Sequence, residues 1–250
     1  MRTIYFGLPA LVLATVTTPA FAQDKSISDS LSVSGGAAVV SDYRFRGLSQ
    51  TGEEAAVQGW ATMTHDSGFY VGFWGSSTNF NTVDSLGAVK TQSAEIDAIA
   101  GYSHKLTSGI TVDGGFTYYM YPGGTDLATD YIEPYLAVTG DIGPLTAKVG
   151  AAYIPSGQNA TGGKDNIYLY TDLSAIIPNT PVKLKGHWGY NDGYIGAGNN
   201  YADYSVGAEA SWKALTFGVA YVNTSGYGSK AVREAVGADG TVVFSVSASF

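Results

Sequence analysis

From residue 30 onward the chain divides into twelve stretches whose side chains alternate, and the ionisable residues keep to one side of that alternation. Ile110, Val112, Gly114, Phe116, Tyr118 and Met120 oppose Thr111, Asp113, Gly115, Thr117 and Tyr119. Ala202, Tyr204, Val206, Ala208, Ala210 and Trp212 oppose Asp203, Ser205, Gly207, Glu209 and Ser211. A period of two is the geometry of a strand, not of a helix. The expected strands span about 30–45, 55–65, 68–80, 92–104, 109–121, 130–140, 144–155, 166–177, 181–190, 201–212, 215–224 and 240–250, with no helix among them. Eight acids (Asp42, Glu95, Asp97, Asp113, Glu133, Asp172, Asp203, Glu209) and five bases (Arg44, Arg46, Lys148, Lys183, Lys185) fall on the face opposite the apolar series, together with His187.

Parity does not say which face points outward. A soluble barrel turns its aliphatic face in and its charges to water; a membrane barrel does the reverse. Four features favour the reverse. Charged residues make up 14% of the chain, against about 25% in soluble domains. Met1-Arg2-Thr3, an apolar run from Ile4 to Val16 and Ala20-Phe21-Ala22 read as a signal peptide over 1–22, cleaved before Gln23, with residues 23–250 as one barrel domain. The last strand puts Val242, Phe244, Val246, Ala248 and the terminal Phe250 on one face and mostly Ser on the other, the pattern of a closing strand. Finally, short links (66–67, 105–108, 141–143, 178–180, 213–214) alternate with long ones (46–54, 81–91, 122–129, 156–165, 191–200, 225–239), as periplasmic turns alternate with outer loops. An even number of strands then leaves both ends in the periplasm. Tyr43, Phe45, Tyr118, Tyr121, Tyr131, Tyr153, Tyr168, Tyr190, Tyr201 and Tyr221 gather near the long links, and Phe69, Tyr102, Trp212 and Phe217 near the short ones, as two interfacial girdles would.

Several classes of function are disfavoured. A net charge of −8 with scattered Lys and Arg argues against a nucleic-acid partner. There is no cysteine, and His65, His104 and His187 lie on three different strands, so neither a metal nor another cofactor is expected. His65-Asp66-Ser67 spaces a base and a nucleophile two apart, but Asp, Ser and Gly68 at that point read as a tight turn.

The first hairpin carries a run of residues with a known likeness. Val40-Ser41-Asp42-Tyr43-Arg44-Phe45-Arg46-Gly47-Leu48-Ser49-Gln50, Gln58-Gly59, Gly68 to Ser76, Glu95-Ile96-Asp97, Gly101-Tyr102 and Tyr119 to Gly123 together resemble the TorF family of proteobacterial porin-type proteins. The likeness is specific over the first half of the mature chain and departs at Ala55-Ala56, where a proline is expected. It implies an outer-membrane porin-like protein and supplies no ligand.

The expectation is therefore a transmembrane antiparallel β-barrel in the outer membrane of a Gram-negative bacterium. It would form a narrow channel for small hydrophilic solutes, with the charges above lining the pore and a mild cation preference. Inward glycines such as Gly36, Gly101, Gly115, Gly150 and Gly189 would leave room for water. Partners would be lipid, the solute, and, during insertion, periplasmic chaperones and the barrel-assembly machinery reading Phe250. A filled structural or adhesive barrel and an outer-membrane hydrolase are the alternatives.

Overall fold

Twelve antiparallel strands close on themselves. In the computed structural model, which describes residues 25–28, 30–83, 89–107, 109–122, 130–196 and 200–250, they are β1 (Leu31–Val40), β2 (Ala56–His65), β3 (Phe69–Val83), β4 (Val89–Thr107), β5 (Ile110–Met120), β6 (Tyr131–Ile142), β7 (Leu145–Ile154), β8 (Asn166–Ile176), β9 (Val182–Gly193), β10 (Tyr201–Trp212), β11 (Leu215–Ser225) and β12 (Thr241–Ser249). The expected signal peptide, residues 1–22, lies outside the described residues. Each strand pairs with its sequence neighbours, and β1 pairs with both β2 and β12, which closes the ring. Closure leaves no open sheet edge in the wall, the condition for strands to cross hydrocarbon.

At the seam, Ser249 pairs with Gly36. The Phe250 amide donates to the Gly35 carbonyl at 2.9 Å and the Gly35 amide to Phe250 O at 3.0 Å. A short strand, Lys25–Ser28, continues along the same edge of β1 where β12 stops.

The faces are inverted relative to a soluble barrel. Outward Val71, Leu136, Val206 and Phe244 are 53%, 58%, 64% and 60% exposed, while inward Glu95, Glu133 and Asp203 are 2%, 1% and 1% exposed. Most strands run ten to twelve residues, about the length a tilted strand needs to span a bilayer. Four of the short links turn through a positive φ, at Gly68, Gly109, Gly143 and Lys213, and the 178–180 link does so at Asn179.

Three expectations are corrected. β1 stops at Val40, not at residue 45, so Arg44 and Arg46 leave the wall. A six-residue helix, α1 (Lys230–Ala235), stands in the last long link, its first turn capped where the Val232 amide donates to Ser229 Oγ at 3.4 Å. The girdle also loses members. Tyr43, Phe45, Tyr131, Tyr168 and Tyr201 are buried inside, while Tyr118, Tyr153 and Tyr221 face outward near the long links, and Phe69, Tyr102, Trp212 and Phe217 near the short turns.

Candidate functional site

After Val40 the chain does not loop outward; it folds into the lumen. Arg44–Phe45 and Leu48–Ser49 form a small hairpin, turned by Arg46 at φ 50° and Gly47 at φ 81°. Two consecutive positive φ angles are the signature of a type I′ turn. Glycine is required at 47 for space as well: a Cβ there would lie 2.6 Å from Thr224 Cγ2 and 2.9 Å from Asp203 Cβ. Asp42 organises the hairpin's base. It pairs with Arg44 Nε at 2.5 Å, and its other oxygen accepts from Ser49 Oγ at 2.7 Å and Thr51 Oγ1 at 3.1 Å.

The hairpin reaches walls all around the barrel. The Tyr43 ring lies 5.2 Å from Trp74 of β3, and its hydroxyl donates to Glu95 of β4 at 3.3 Å. Phe45 meets Tyr119 of β5 edge-on at 5.9 Å. Arg46 pairs with Glu133 of β6 at 2.5 Å, stacks 4.2 Å over the Tyr168 ring of β8 and donates to Asn191 of β9 at 3.4 Å. Tyr201 of β10 donates to the Arg46 carbonyl at 3.0 Å. Arg46, at a φ that non-glycine residues rarely adopt, is thus held by an ion pair, a ring face and two hydrogen bonds.

The last long link locks the hairpin from above. Arg44 donates to the carbonyls of Gly237 and Asp239, and the Ser49 amide donates to Gly237 O at 3.2 Å. Thr224 Oγ1 donates to Ala238 O at 2.8 Å, and Arg233 pairs with Asp239 at 2.9 Å.

Glu95, Asp97, Asp113, Glu133, Lys148, Asp172, Lys183, Lys185, His187, Asp203 and Glu209 all stand on inward faces of the strands. Asp42, Arg44 and Arg46 stand instead on the inserted segment. Toward the long-loop end the inward groups are shut from solvent. Toward the short-turn end Lys148, Asp172, Lys183 and Lys185 are half-buried among hydroxyls such as Ser174, Thr216, Ser245 and Ser247. The lumen is therefore a vestibule, open at the short-turn end and closed at the other.

Within it, Lys185 pairs with Glu209 at 2.6 Å. His187 is clamped between Asp172 (Nδ1, 2.6 Å) and Asp203 (Nε2, 3.0 Å), with the Tyr168 hydroxyl 2.9 Å from Nε2. Both ring nitrogens are engaged by these neighbours. His65 Nδ1 lies 2.7 Å from Ser67 Oγ and also accepts the Ser67 amide at 3.1 Å, which is the bonding of a turn.

The inward glycines do not leave water-filled gaps. A Cβ at Gly101, Gly115, Gly150 or Gly189 would collide with Tyr70, Tyr135, Tyr170 or Tyr168 respectively, and one at Gly36 with Trp60. An aromatic side chain of the wall occupies the space beside each of these glycines. Sequence reasoning missed both this packing and the hairpin. Arg46-Gly47 between short alternating runs was the available signal for the second.

These features define a class: a closed twelve-stranded transmembrane barrel with a polar lumen and a short inserted hairpin. Residues 24–250 match the family described as a bacterial protein of unknown function (Gcw_chp), and the chain belongs to that family. No curated protein matches it in sequence. Among solved structures it is similar to the KdgM porin, at 10% identity over 87% of this chain and 98% of that one, with a TM-score of 0.57. The NanC porin aligns at 11% identity over the same shares with a TM-score of 0.57. The COG4313 outer membrane channel from Pseudomonas putida F1 aligns at 8% identity over 93% of this chain and 99% of that one, with a TM-score of 0.52. At such identities the likeness is one of fold.

Proposed function

We propose that the protein is an outer-membrane channel of a Gram-negative bacterium, through which small hydrophilic solutes diffuse passively. The short turns face the periplasm, and the hairpin closes the outer end. One observation carries this reading: a vestibule of charges and hydroxyls, open at one end, meets a plug held to the wall by ion pairs and hydrogen bonds as well as ring contacts. The plug's hydrogen bonds exchange with water at modest net cost, since a typical hydrogen bond contributes about 0.5–1.5 kcal/mol net.

The porin-type fold of the neighbours supports the same reading, as does the TorF-like run from Val40 to Gln50, the segment that forms the hairpin. Transport of this kind needs no cofactor and no covalent chemistry. Export by a cleaved signal, and insertion by periplasmic chaperones and the barrel-assembly machinery with Phe250 in the recognised end, belong to the same proposal.

A second reading, a filled structural or adhesive barrel, is favoured by the near-complete burial of Arg44, Arg46 and Glu133. Planar-bilayer recording of the purified, folded barrel separates the two. Discrete conductance steps are expected; a folded, inserted barrel that passes no current would establish the filled barrel instead.

A further inference from the structure

We infer that solute crossing the closed half travels along the β3–β6 wall, and that this route selects small cations; the inference rests on the channel reading above. The two sides of the closed half differ in how their polar atoms are matched. On the β8–β11 side most inner groups have partners among the described residues, the Tyr170 hydroxyl and Glu209 Oε2 being exceptions. Asn166 and Asn191 exchange hydrogen bonds at 2.9 and 3.1 Å, Asp203 is held by Tyr168 and His187, and Thr224 donates to Ala238 O.

On the other side, Trp74 Nε1, Asp97 Oδ1 and Thr117 Oγ1 have no hydrogen-bond partner among the described residues, and neither does Arg46 Nε of the hairpin. Trp74, Asp97, Thr117 and Arg46 are all at most 2% exposed. An unmatched buried donor or acceptor costs about 1–3 kcal/mol, so four together mark a place that water or a solute occupies in use.

These groups are contiguous. Trp74 is the register partner of Asp97, and Thr117 that of Glu133, one inward step nearer the vestibule. Below them the Tyr70 hydroxyl joins Tyr135 to Asp113, and Asp113 Oδ2 is itself unmatched among the described residues. The result is a ladder of oxygens from the vestibule to the hairpin. Its carboxyl groups are Asp113, Glu133, Asp97 and Glu95, of which, among the described residues, Glu133 is paired with a base of the hairpin, Arg46. Carboxylates and tyrosine faces attract cations and repel anions.

The chain contains no cysteine, so single-cysteine variants test the route directly. Thr117→Cys and Val222→Cys, the latter at an equally buried inward position on β11, are reacted in folded barrels with a trimethylammonium and a sulfonate methanethiosulfonate. Rates are normalised to a free thiol. Thr117→Cys is expected to react, on the order of tenfold faster with the cationic reagent, while Val222→Cys stays inert. Equal labelling of both sites, labelling of Val222→Cys alone, or an anion preference at Thr117→Cys would overturn the inference. Reversal potentials in a KCl gradient provide a second readout that does not depend on the cysteine variants folding. Asp97→Asn is expected to lower the preference for potassium over chloride. A barrel that conducts with no change in Asp97→Asn refutes the route alone; a barrel that never conducts and labels at neither site refutes the channel as well.

Discussion

At the long-loop end, Glu95, Glu133, Asn166 and Asn191 point inward and are closed off from solvent; at the short-turn end, Lys148, Asp172, Lys183 and Ser247 point inward and reach it. Both sets stand on the same strands and obey the same alternation. The difference comes from what enters the lumen from off the wall. Tyr43 to Ser49 fill the closed end and are pinned from above by Gly237 and Asp239, whereas no such insertion reaches the vestibule among the described residues. Strand parity thus decides which groups face the axis, and a seven-residue segment decides whether water reaches them.

That contrast can be broken by substitution, beginning where the effect is greatest. Arg46→Met leaves Glu133 buried without its cation, and breaking such a pair costs about 3–5 kcal/mol. Urea unfolding in detergent is expected to show that loss, and the double variant Arg46→Met with Glu133→Met is expected to recover most of it. Val149→Arg, which places a charge on the outward face of β7 where Val149 is 52% exposed, costs ~2–4 kcal/mol near the bilayer midplane. The same measurement in lipid vesicles checks it, and tolerance there would mean that the outer face is not in hydrocarbon.

Gly150→Ala drives a methyl group into the Tyr170 ring, an overpacking worth about 1–3 kcal/mol; thermal melting of the folded band on a gel reads it. The smallest effect belongs to the open end. Ser247→Arg points into the vestibule, where Ser247 is half-buried, and is expected to stay within about 0.5 kcal/mol of the parent in urea. A large loss at Ser247 would mean that the vestibule is closed too.

Much of the wall was legible because its causes are local. Alternation placed Tyr201–Trp212 at its observed bounds and the other strands within a few residues, apart from the ends of β1, β3, β4 and β9. Glu95, Asp97, Asp113, Glu133, Lys148, Asp172, Lys183, Lys185, His187, Asp203 and Glu209 stand inward as their parity required. The misses share a physical reason. Asp42, Arg44 and Arg46 continue the parity of β1, so a period-two reading cannot see that the chain has left the wall and turned through Arg46-Gly47. Tyr168 reads as a girdle residue from its place near a long link, and only the register of β8 against β7 and β9 puts the side chains of Tyr170 and Tyr168 beside Gly150 and Gly189. Pairing of His187 with Asp172 and Asp203 likewise depends on cross-strand neighbours that spacing alone does not give.

The hairpin's ends already meet, since the Gln50 amide donates to the Tyr43 carbonyl at 2.8 Å, so a Gly-Ser link can replace residues 43–50 without moving the strands. Single-channel conductance of that variant, beside the intact barrel in the same bilayer, tests the central claim most directly. The account predicts a severalfold larger conductance with the heat-resistant folded band retained. Equal conductance in the two proteins would show that the hairpin does not close the lumen.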